Sequence, residues 1–219
     1  MRRQECLIAV LTVVVHGIAY ATPLDFEGLP YTLVTSGGNH TPDPGSVLTN
    51  NFASQGVVFG KLGISAGVAV VRDSLAPSSG LNSVAGLDAG GIIPGTTSGA
   101  FLGDIYFSFV VPGSSVPATT DWVSFTIGDA GGDLDIFQIR SYDLSDTLIN
   151  SADVSGASRF PWSLALAGIH RVEVDFTGDF GYSLDDLDFN AGVVPVPGAI
   201  LLGTIGAGLV GWLRRRRAL

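Results

Sequence analysis

The sequence predicts an all-β protein whose central part is an antiparallel, jelly-roll-like β-sandwich. Apolar residues recur at every second position in many short segments, and Gly-rich turns separate these segments. No central segment shows the long 3.6-residue period of an amphipathic helix. Many short strands joined by Gly turns are typical of antiparallel sandwiches. Hydrophobic residues make up 46% of the chain and charged residues 14%, which excludes a highly charged, disordered chain.

The strand predictions follow this alternation along the chain. The strictest alternation lies in residues 105–111, 122–127 and 169–176. Weaker signals predict further strands at 23–26, 56–59, 68–71, 134–142, 147–150 and 183–189. Two stretches rich in Gly, Ser, Pro and Thr, residues 36–49 and 76–99, are predicted to be long loops with room for short edge strands.

The first 21 residues are predicted to be a secretory signal peptide. Arg2 and Arg3 form a basic start, residues 7–15 form an apolar run, and 19–21 read Ala-Tyr-Ala, a small-residue cleavage site. The apolar run is shorter than the roughly 20 residues that span a bilayer. The alternative is an N-terminal anchor that is not cleaved. The domain between the two ends is predicted to comprise residues 22–192.

The C-terminal residues 193–219 combine a proline motif, an apolar stretch and a basic end. The motif is Val194, Pro195, Val196 and Pro197, and a transmembrane helix is predicted at residues 198–213. The basic end consists of Arg214, Arg215, Arg216 and Arg217. These arginines are expected to stay cytoplasmic, which places the central domain outside the cytoplasmic membrane.

This three-part pattern resembles a PEP-CTERM sorting signal of the Val-Pro-x-Pro variant. Val196 stands where the common form has Glu, and Gly198 stands where the variant has Ala. The resemblance implies processing by an exosortase, a membrane cysteine protease-transpeptidase of Gram-negative bacteria that make extracellular polysaccharide. It implies export across the inner membrane, C-terminal anchoring, and then a place at the cell surface or in the extracellular matrix. The alternative is an ordinary C-terminal membrane anchor.

The central domain also resembles the jelly-roll ectodomains of such sorted proteins and carbohydrate-binding modules. The pieces that carry this resemblance are short: residues 25–30, 55–59, 140–143 and 184–189. The resemblance implies the fold more firmly than it implies a ligand.

Charge and cysteine content exclude several classes of function. The domain at 22–192 holds five basic residues against nineteen acidic ones, a formal net charge of −14. Such a surface repels nucleic acid, so no nucleic-acid partner is expected. Cys6 is the one cysteine of the chain and lies in the predicted signal peptide. A disulfide, a thiolate zinc site and a catalytic thiol are therefore excluded from the domain.

A structural calcium site is predicted from Asp25, Glu27, Asp185 and Asp186. Leu24 and Phe26 share one face of the first predicted strand, so Asp25 and Glu27 share the other. In the last strand the apolar positions change parity at Asp185 and Asp186, which a β-bulge would explain. Calcium prefers such hard oxygen ligands, and would join the first and last strands. The alternative is two solvated carboxylate pairs.

Sugar binding is the remaining binding hypothesis. Trp122 and Tyr106 fall on the polar parity of their strands, so their rings are expected to face outward and to stack on sugars. Trp162 is expected to pack in the core or a loop.

The predicted function is a non-enzymatic surface or matrix protein associated with exopolysaccharide or biofilm. The sequence has no Gly-x-Ser-x-Gly, HExxH or Walker motif. Two alternatives stay open: a module that binds a polysaccharide, and a polysaccharide-active hydrolase that uses two carboxylates.

Overall fold

The computed structural model describes residues 23–34, 38–60, 67–72, 80–95, 103–129, 132, 134–177 and 182–190. These residues form two β-sheets that pack face to face, which confirms the predicted sandwich. The predicted signal peptide, residues 1–21, and the predicted sorting segment, residues 193–219, lie outside the described residues. Within the described ranges, no helix has the length and apolar character needed to cross a membrane.

Twelve strands and one short 3-10 helix, Ala53–Gln55, make up the regular structure of the described residues. The strands are β1 (Thr32–Leu33), β2 (Val47–Leu48), β3 (Val57–Phe59), β4 (Val68–Arg72), β5 (Ser83–Gly86), β6 (Ile105–Phe109), β7 (Thr120–Gly128), β8 (Asp135–Tyr142), β9 (Leu148–Gly156), β10 (Phe160–Ile169), β11 (Arg171–Phe176) and β12 (Ser183–Phe189).

The strand order is that of a jelly roll. The seven-stranded sheet has the order β1-β4-β5-β12-β7-β10, with β2 paired to β4. The five-stranded sheet has the order β3-β6-β11-β8-β9. From β5 onward, the spatial order of the strands is β5-β12-β7-β10 in one sheet and β6-β11-β8-β9 in the other. This is the strand order of a jelly roll. Consecutive strands β5 and β6, for example, lie in opposite sheets.

Alternating apolar side chains from both sheets form the core. Phe107 of β6 and Phe125 of β7 meet across the sandwich with ring centroids 6.0 Å apart and planes at 90°. Edge-to-face contacts of this kind add to the free energy gained by burying the rings. Trp162 stacks on Phe125 at 4.9 Å, which confirms its predicted packing role. The core positions of β6, β7 and β11 are those that the alternation predicts.

Two predictions about the first half of the chain are wrong. Residues 23–26 do not form a strand, because Phe26 adopts a positive φ of 56° that breaks the extended backbone. β5 lies inside the predicted loop 76–99, and it is an interior strand between β4 and β12 and not an edge strand. Its small residues, Ser-Val-Ala-Gly, carry little hydrophobic signal, yet all four are buried.

The predicted strand at 147–150 is too short, and β10 was not predicted at all. β9 continues to Gly156 and β10 spans Phe160–Ile169. Both strands lie at sheet edges, where their inward side chains stay half-buried. Edge positions tolerate small and polar residues, so the hydrophobic alternation there is weak, and Pro161 further obscures it.

Candidate functional site

The first and last segments of the domain meet, as the calcium hypothesis requires. Leu24 donates its backbone N–H to Leu187 at 2.8 Å and accepts the N–H of Leu187 at 3.2 Å. The pairing of β12 with β7 changes register between Asp185 and Asp188, which confirms the expected bulge.

The four predicted calcium ligands differ in their burial and in their hydrogen bonds. Asp25 is exposed, and its Oδ1 accepts the backbone N–H of Glu27 at 3.1 Å. Asp185 is fully buried and accepts the backbone N–H of Asp186 at 2.9 Å. Asp186 is half-buried with a positive φ of 52°. In the part of the chain that the structure describes, no three acidic, His or Cys side chains gather as a metal site. Calcium binding therefore stays a prediction.

Glu27 instead tethers the N-terminal segment to the loop before β5. Its Oε1 accepts the backbone N–H groups of Leu81 and Asn82, both at 2.6 Å. Asn82 completes the contact by donating its side-chain amide to the carbonyl oxygen of Phe26 at 3.2 Å. A Cβ at Gly80 would lie 2.3 Å from Oε1, so a larger residue there would displace this carboxylate. Two N–H donors converging on one carboxylate oxygen form a charge-assisted anchor.

The two predicted sugar-binding aromatics lie on opposite sides of the molecule. Tyr106 is on β6 and Trp122 on β7, and both point away from the core because their neighbours Phe107 and Val123 point into it. Their outward orientation agrees with the alternation. The sheets that carry them have opposite outer faces, so these two rings do not form one site.

The outer face of the five-stranded sheet carries an organised polar surface, which we call the outer-face network. β11 lies between β6 and β8, and the register aligns outward side chains in rows across the strands. One row is Tyr106, Glu173, Arg140 and Ser151. The next row holds Ser108, Arg171 and Tyr142. On the other side, Asp175 aligns with Gln138 and Asp153.

Charged hydrogen bonds connect these rows. Glu173 is held by Arg171, by Arg140 at 3.5 Å and by the hydroxyl of Tyr142 at 3.0 Å. The guanidinium carbon of Arg171 lies 4.0 Å from the centroid of the Tyr142 ring, a cation–π contact. Although they project from the outer face, Arg171 is only 8% and Glu173 only 3% exposed. The centre of this face is therefore a desolvated, cross-linked polar layer.

One turn and the end of one strand extend the network. Arg171 also binds Asp146, which lies in the β8–β9 turn with a positive φ of 63°. Arg140 binds Asp175 near the end of β11. Arg140 and Arg171 therefore join β8, β11 and the β8–β9 turn through ion pairs.

Asp104 and Tyr106 form the border of the network at β6. The Tyr106 hydroxyl donates to Asp104 Oδ2 at 3.0 Å, and the backbone N–H of Phe176 donates to Oδ1 at 3.4 Å. Burial, followed by the negative charge of Asp175, raises the pKa of Asp104 above its usual value. Burial, followed by the charge of Asp104, raises the pKa of Tyr106 to about 12. Asp104 is therefore protonated more easily than an exposed aspartate, while the Tyr106 hydroxyl stays protonated.

Part of this network is predictable from the sequence. Arg171, Glu173 and Asp175 alternate with core residues and so share one face, but their partners come from β8 and from the β8–β9 turn. Arg140 and Asp175 are 35 residues apart, and Arg171 and Asp146 are 25 apart. Such long-range pairs depend on strand order, which alternation does not report.

The outer-face network offers the chemistry of a site for polyhydroxylated ligands. Guanidinium, carboxylate and amide groups are fixed by their mutual hydrogen bonds, for example Gln138 to Asp153 at 3.1 Å. Half-exposed aromatic rings lie beside them at Tyr106 and Tyr142. A fixed polar surface next to aromatic rings binds ligands without a large loss of side-chain entropy.

Comparison with known proteins gave only distant structural matches. No family model matches the chain, and no curated protein matches it. The enzymatically active domain of tailspike protein 4 from bacteriophage CBA120 is 13% identical over 69% of this chain, with a TM-score of 0.32. The chain spans 22% of the length of that protein.

Two further solved structures contain a sugar. TmCBM61 in complex with β-1,4-galactotriose is 16% identical over 62% of this chain and 87% of its own, with a TM-score of 0.33. The arabinose-bound α-L-arabinofuranosidase MgGH51 is 15% identical over 80% of this chain and 30% of its own, with a TM-score of 0.37.

Proposed function

We propose that the chain is an exported, non-enzymatic protein of the cell surface or extracellular matrix that binds exopolysaccharide through the outer-face network. The observation that carries the binding proposal is the half-exposed ring of Tyr106, which shares a row on one sheet face with the partly exposed Arg140, while the buried Glu173 between them holds Arg140 in place. The terminal sequence patterns support export and exosortase processing. The formal charge of −14 on residues 22–192 supports a role outside nucleic-acid binding.

The carboxylate geometry of the network favours binding over hydrolysis. A two-carboxylate glycosidase needs its carboxyl groups to act on the substrate as acid, base or nucleophile. Asp104 instead accepts the Tyr106 hydroxyl and the Phe176 N–H, and Asp175 is ion-paired with Arg140. Glu173 is held by two arginines and a tyrosine, which stabilises it as an anion and disfavours a role as general acid.

Affinity electrophoresis of the purified protein in gels containing the host's own exopolysaccharide tests the binding proposal. The wild type should be retarded, and Tyr106→Ala should lose most of the retardation. Trp122→Ala changes an outward aromatic ring on the opposite face and is the matched control. Equal loss in both variants, or no retardation of the wild type, would contradict this site.

The hydrolase alternative has its own test. Reducing-sugar release from the same polysaccharide should stay at background with the wild-type protein. Turnover that a single carboxylate substitution abolishes, such as Glu173→Gln, would establish an enzyme instead.

Mass spectrometry of the native protein tests export and sorting. The mature chain should lack residues 1–21 and the arginines 214–217. Intact Arg214 to Arg217 in protein recovered from the extracellular fraction would exclude exosortase processing. An intact C-terminus confined to membranes would favour a plain anchor.

A further inference from the structure

The ring of Tyr142 is fixed on the outer face of the five-stranded sheet by two contacts with β11. Tyr142 on β8 aligns with Arg171 on β11, and the guanidinium carbon of Arg171 lies 4.0 Å from the ring centroid. The Tyr142 hydroxyl reaches along β11 and donates to Glu173 Oε2 at 3.0 Å. Because both partners are buried, these contacts hold the ring in one orientation.

The ring face opposite Arg171 is the part of Tyr142 that a ligand can reach. Arg171 occupies one face and Glu173 binds the hydroxyl, yet the residue is still partly exposed. On the side away from β11, Leu148 of β9 aligns with Tyr142 and is 49% exposed. The ring and Leu148 together form an exposed apolar surface, which we call the Tyr142 platform. Surfaces of this kind pack against the apolar faces of ligand rings.

The charges around the platform favour an uncharged ligand. Arg140 and Arg171, the cations of the outer-face network, are each paired with carboxylates. Two further carboxylates project into solvent from this face: Asp146, whose side chain is 77% exposed, and Asp153. They would repel a polysaccharide that carries uronate groups, because the guanidinium groups are already neutralised. A neutral polysaccharide meets no such repulsion.

We infer that a neutral polysaccharide chain binds with one sugar stacked on the Tyr142 platform and another on the ring of Tyr106. This inference rests on the proposed function, in which Tyr106 contacts the polysaccharide. The two tyrosines lie two strands apart in adjacent rows, so their Cα atoms are about 12 Å apart. One pyranose ring is too small to cover both, so the ligand is a chain that crosses β11. Arg140, partly exposed beside Tyr142 on β8, offers N–H donors to its hydroxyl groups.

Binding to the host's own exopolysaccharide, coupled to agarose beads, tests the platform. Depletion of the purified protein from solution gives the dissociation constant. Tyr142→Leu keeps an apolar side chain but removes the flat ring, and should raise the dissociation constant by about 5- to 30-fold. Tyr142→Phe keeps the ring and its contact with Arg171, and should raise the constant much less.

Tyr31 provides a matched control. The guanidinium carbon of Arg72 lies 3.8 Å from the centroid of its ring, so Tyr31→Leu removes the same kind of cation–π contact. Arg72 belongs to β4 in the seven-stranded sheet, away from the outer-face network. Tyr31→Leu should therefore leave the dissociation constant unchanged. Circular-dichroism melting of each variant verifies that the sandwich is folded.

The salt dependence of binding tests the charge of the ligand. Salt screens interactions between charges but has little effect on the stacking of uncharged rings. The dissociation constant of the wild type should therefore stay within about 2-fold between roughly 0.05 and 0.5 M NaCl. Weaker binding at high salt would show attraction between opposite charges, and tighter binding would show an acidic ligand. Either result would overturn the inference of a neutral chain.

The variants separate this inference from the proposed function. If Tyr106→Ala weakens binding and Tyr142→Leu does not, the platform is excluded while the proposed function stands. A wild type that does not bind the beads excludes both. Equal weakening by Tyr142→Leu and Tyr31→Leu would show a general structural effect and no platform. Equal weakening by Tyr142→Phe and Tyr142→Leu would assign the effect to the hydroxyl and overturn stacking on the ring.

Discussion

Leu24 and Leu187 exchange two backbone hydrogen bonds, of 2.8 and 3.2 Å, that fasten the N-terminal segment to the last strand beside its bulge. Both side chains are buried in the main core. Cys6, the one cysteine, lies outside residues 22–192, so no disulfide can support this junction. The closure of the sandwich therefore depends on non-covalent contacts at Leu24, Phe26 and Glu27.

Glu27→Ala is expected to destabilise the protein by about 1–3 kcal/mol, because two backbone N–H groups lose a charged acceptor. Glu27→Gln should cost less, since its amide oxygen can still accept these bonds. Chemical denaturation measures the free energy of unfolding. Asp25→Ala, which alters an exposed neighbouring carboxylate, is the control and should have a smaller effect. An equal loss in Asp25→Ala would show that Glu27 is no special anchor.

Arg171→Ala is expected to destabilise the protein by about 3–5 kcal/mol, because it leaves the buried Glu173 carboxylate with fewer cationic partners. Replacing both, as Arg171→Met with Glu173→Leu, should recover part of the loss, since no buried charge then remains. Arg140→Met removes a more exposed guanidinium and should cost less. Urea denaturation of the three variants and the wild type measures the free energies. A loss in the double variant as large as that in Arg171→Ala would contradict a coupled pair.

Asp104→Asn is expected to stabilise the protein at neutral pH. The folded pKa of Asp104 is raised by burial and then by Asp175. Its stabilising contribution is therefore complete below the ordinary pKa of 3.8 and is lost as the pH rises through the raised value. The asparagine amide resembles the protonated acid and places no negative charge beside Asp175. Its advantage over wild type should shrink as the pH falls toward 4.

Urea denaturation at several pH values between 4 and 7 measures this difference. Asp188→Asn makes the same charge change on a half-buried residue of β12 and controls for the change in net charge. Parallel pH profiles for wild type and Asp104→Asn would show that folding does not raise the pKa of Asp104.

Calcium is expected to raise the melting temperature if the carboxylates near the β12 bulge bind it. Binding to the native state alone stabilises by about 2.7 kcal/mol at a hundredfold excess over the dissociation constant. Asp186→Asn should remove this increase, and asparagine tolerates the positive φ at this position. Asp153→Asn, on the exposed edge strand, should leave it unchanged. Identical melting in EDTA and in millimolar calcium would exclude the site.

The alternation of side chains was readable from the sequence because it is a local property of a strand. Val172 and Val174 had to face the core and Arg171 and Glu173 the other way, whichever strands lay beside β11. The bulge at Asp185 was visible for the same reason, as a break in parity within one segment. Local signals failed at β5 and β10, where small residues and an edge position leave little hydrophobic pattern.

Only the tertiary structure determines which strands pair. Tyr106 and Trp122 have the same outward parity, yet β6 and β7, which carry them, lie in opposite sheets, so the rings face opposite directions. Glu27 has a side chain suited to metal binding, but its carboxylate accepts hydrogen bonds from the backbone N–H groups of Leu81 and Asn82. Strand order and register arise from packing between segments that are distant in the sequence. A local pattern therefore does not predict which carboxylate, guanidinium or amide lies beside a given side chain.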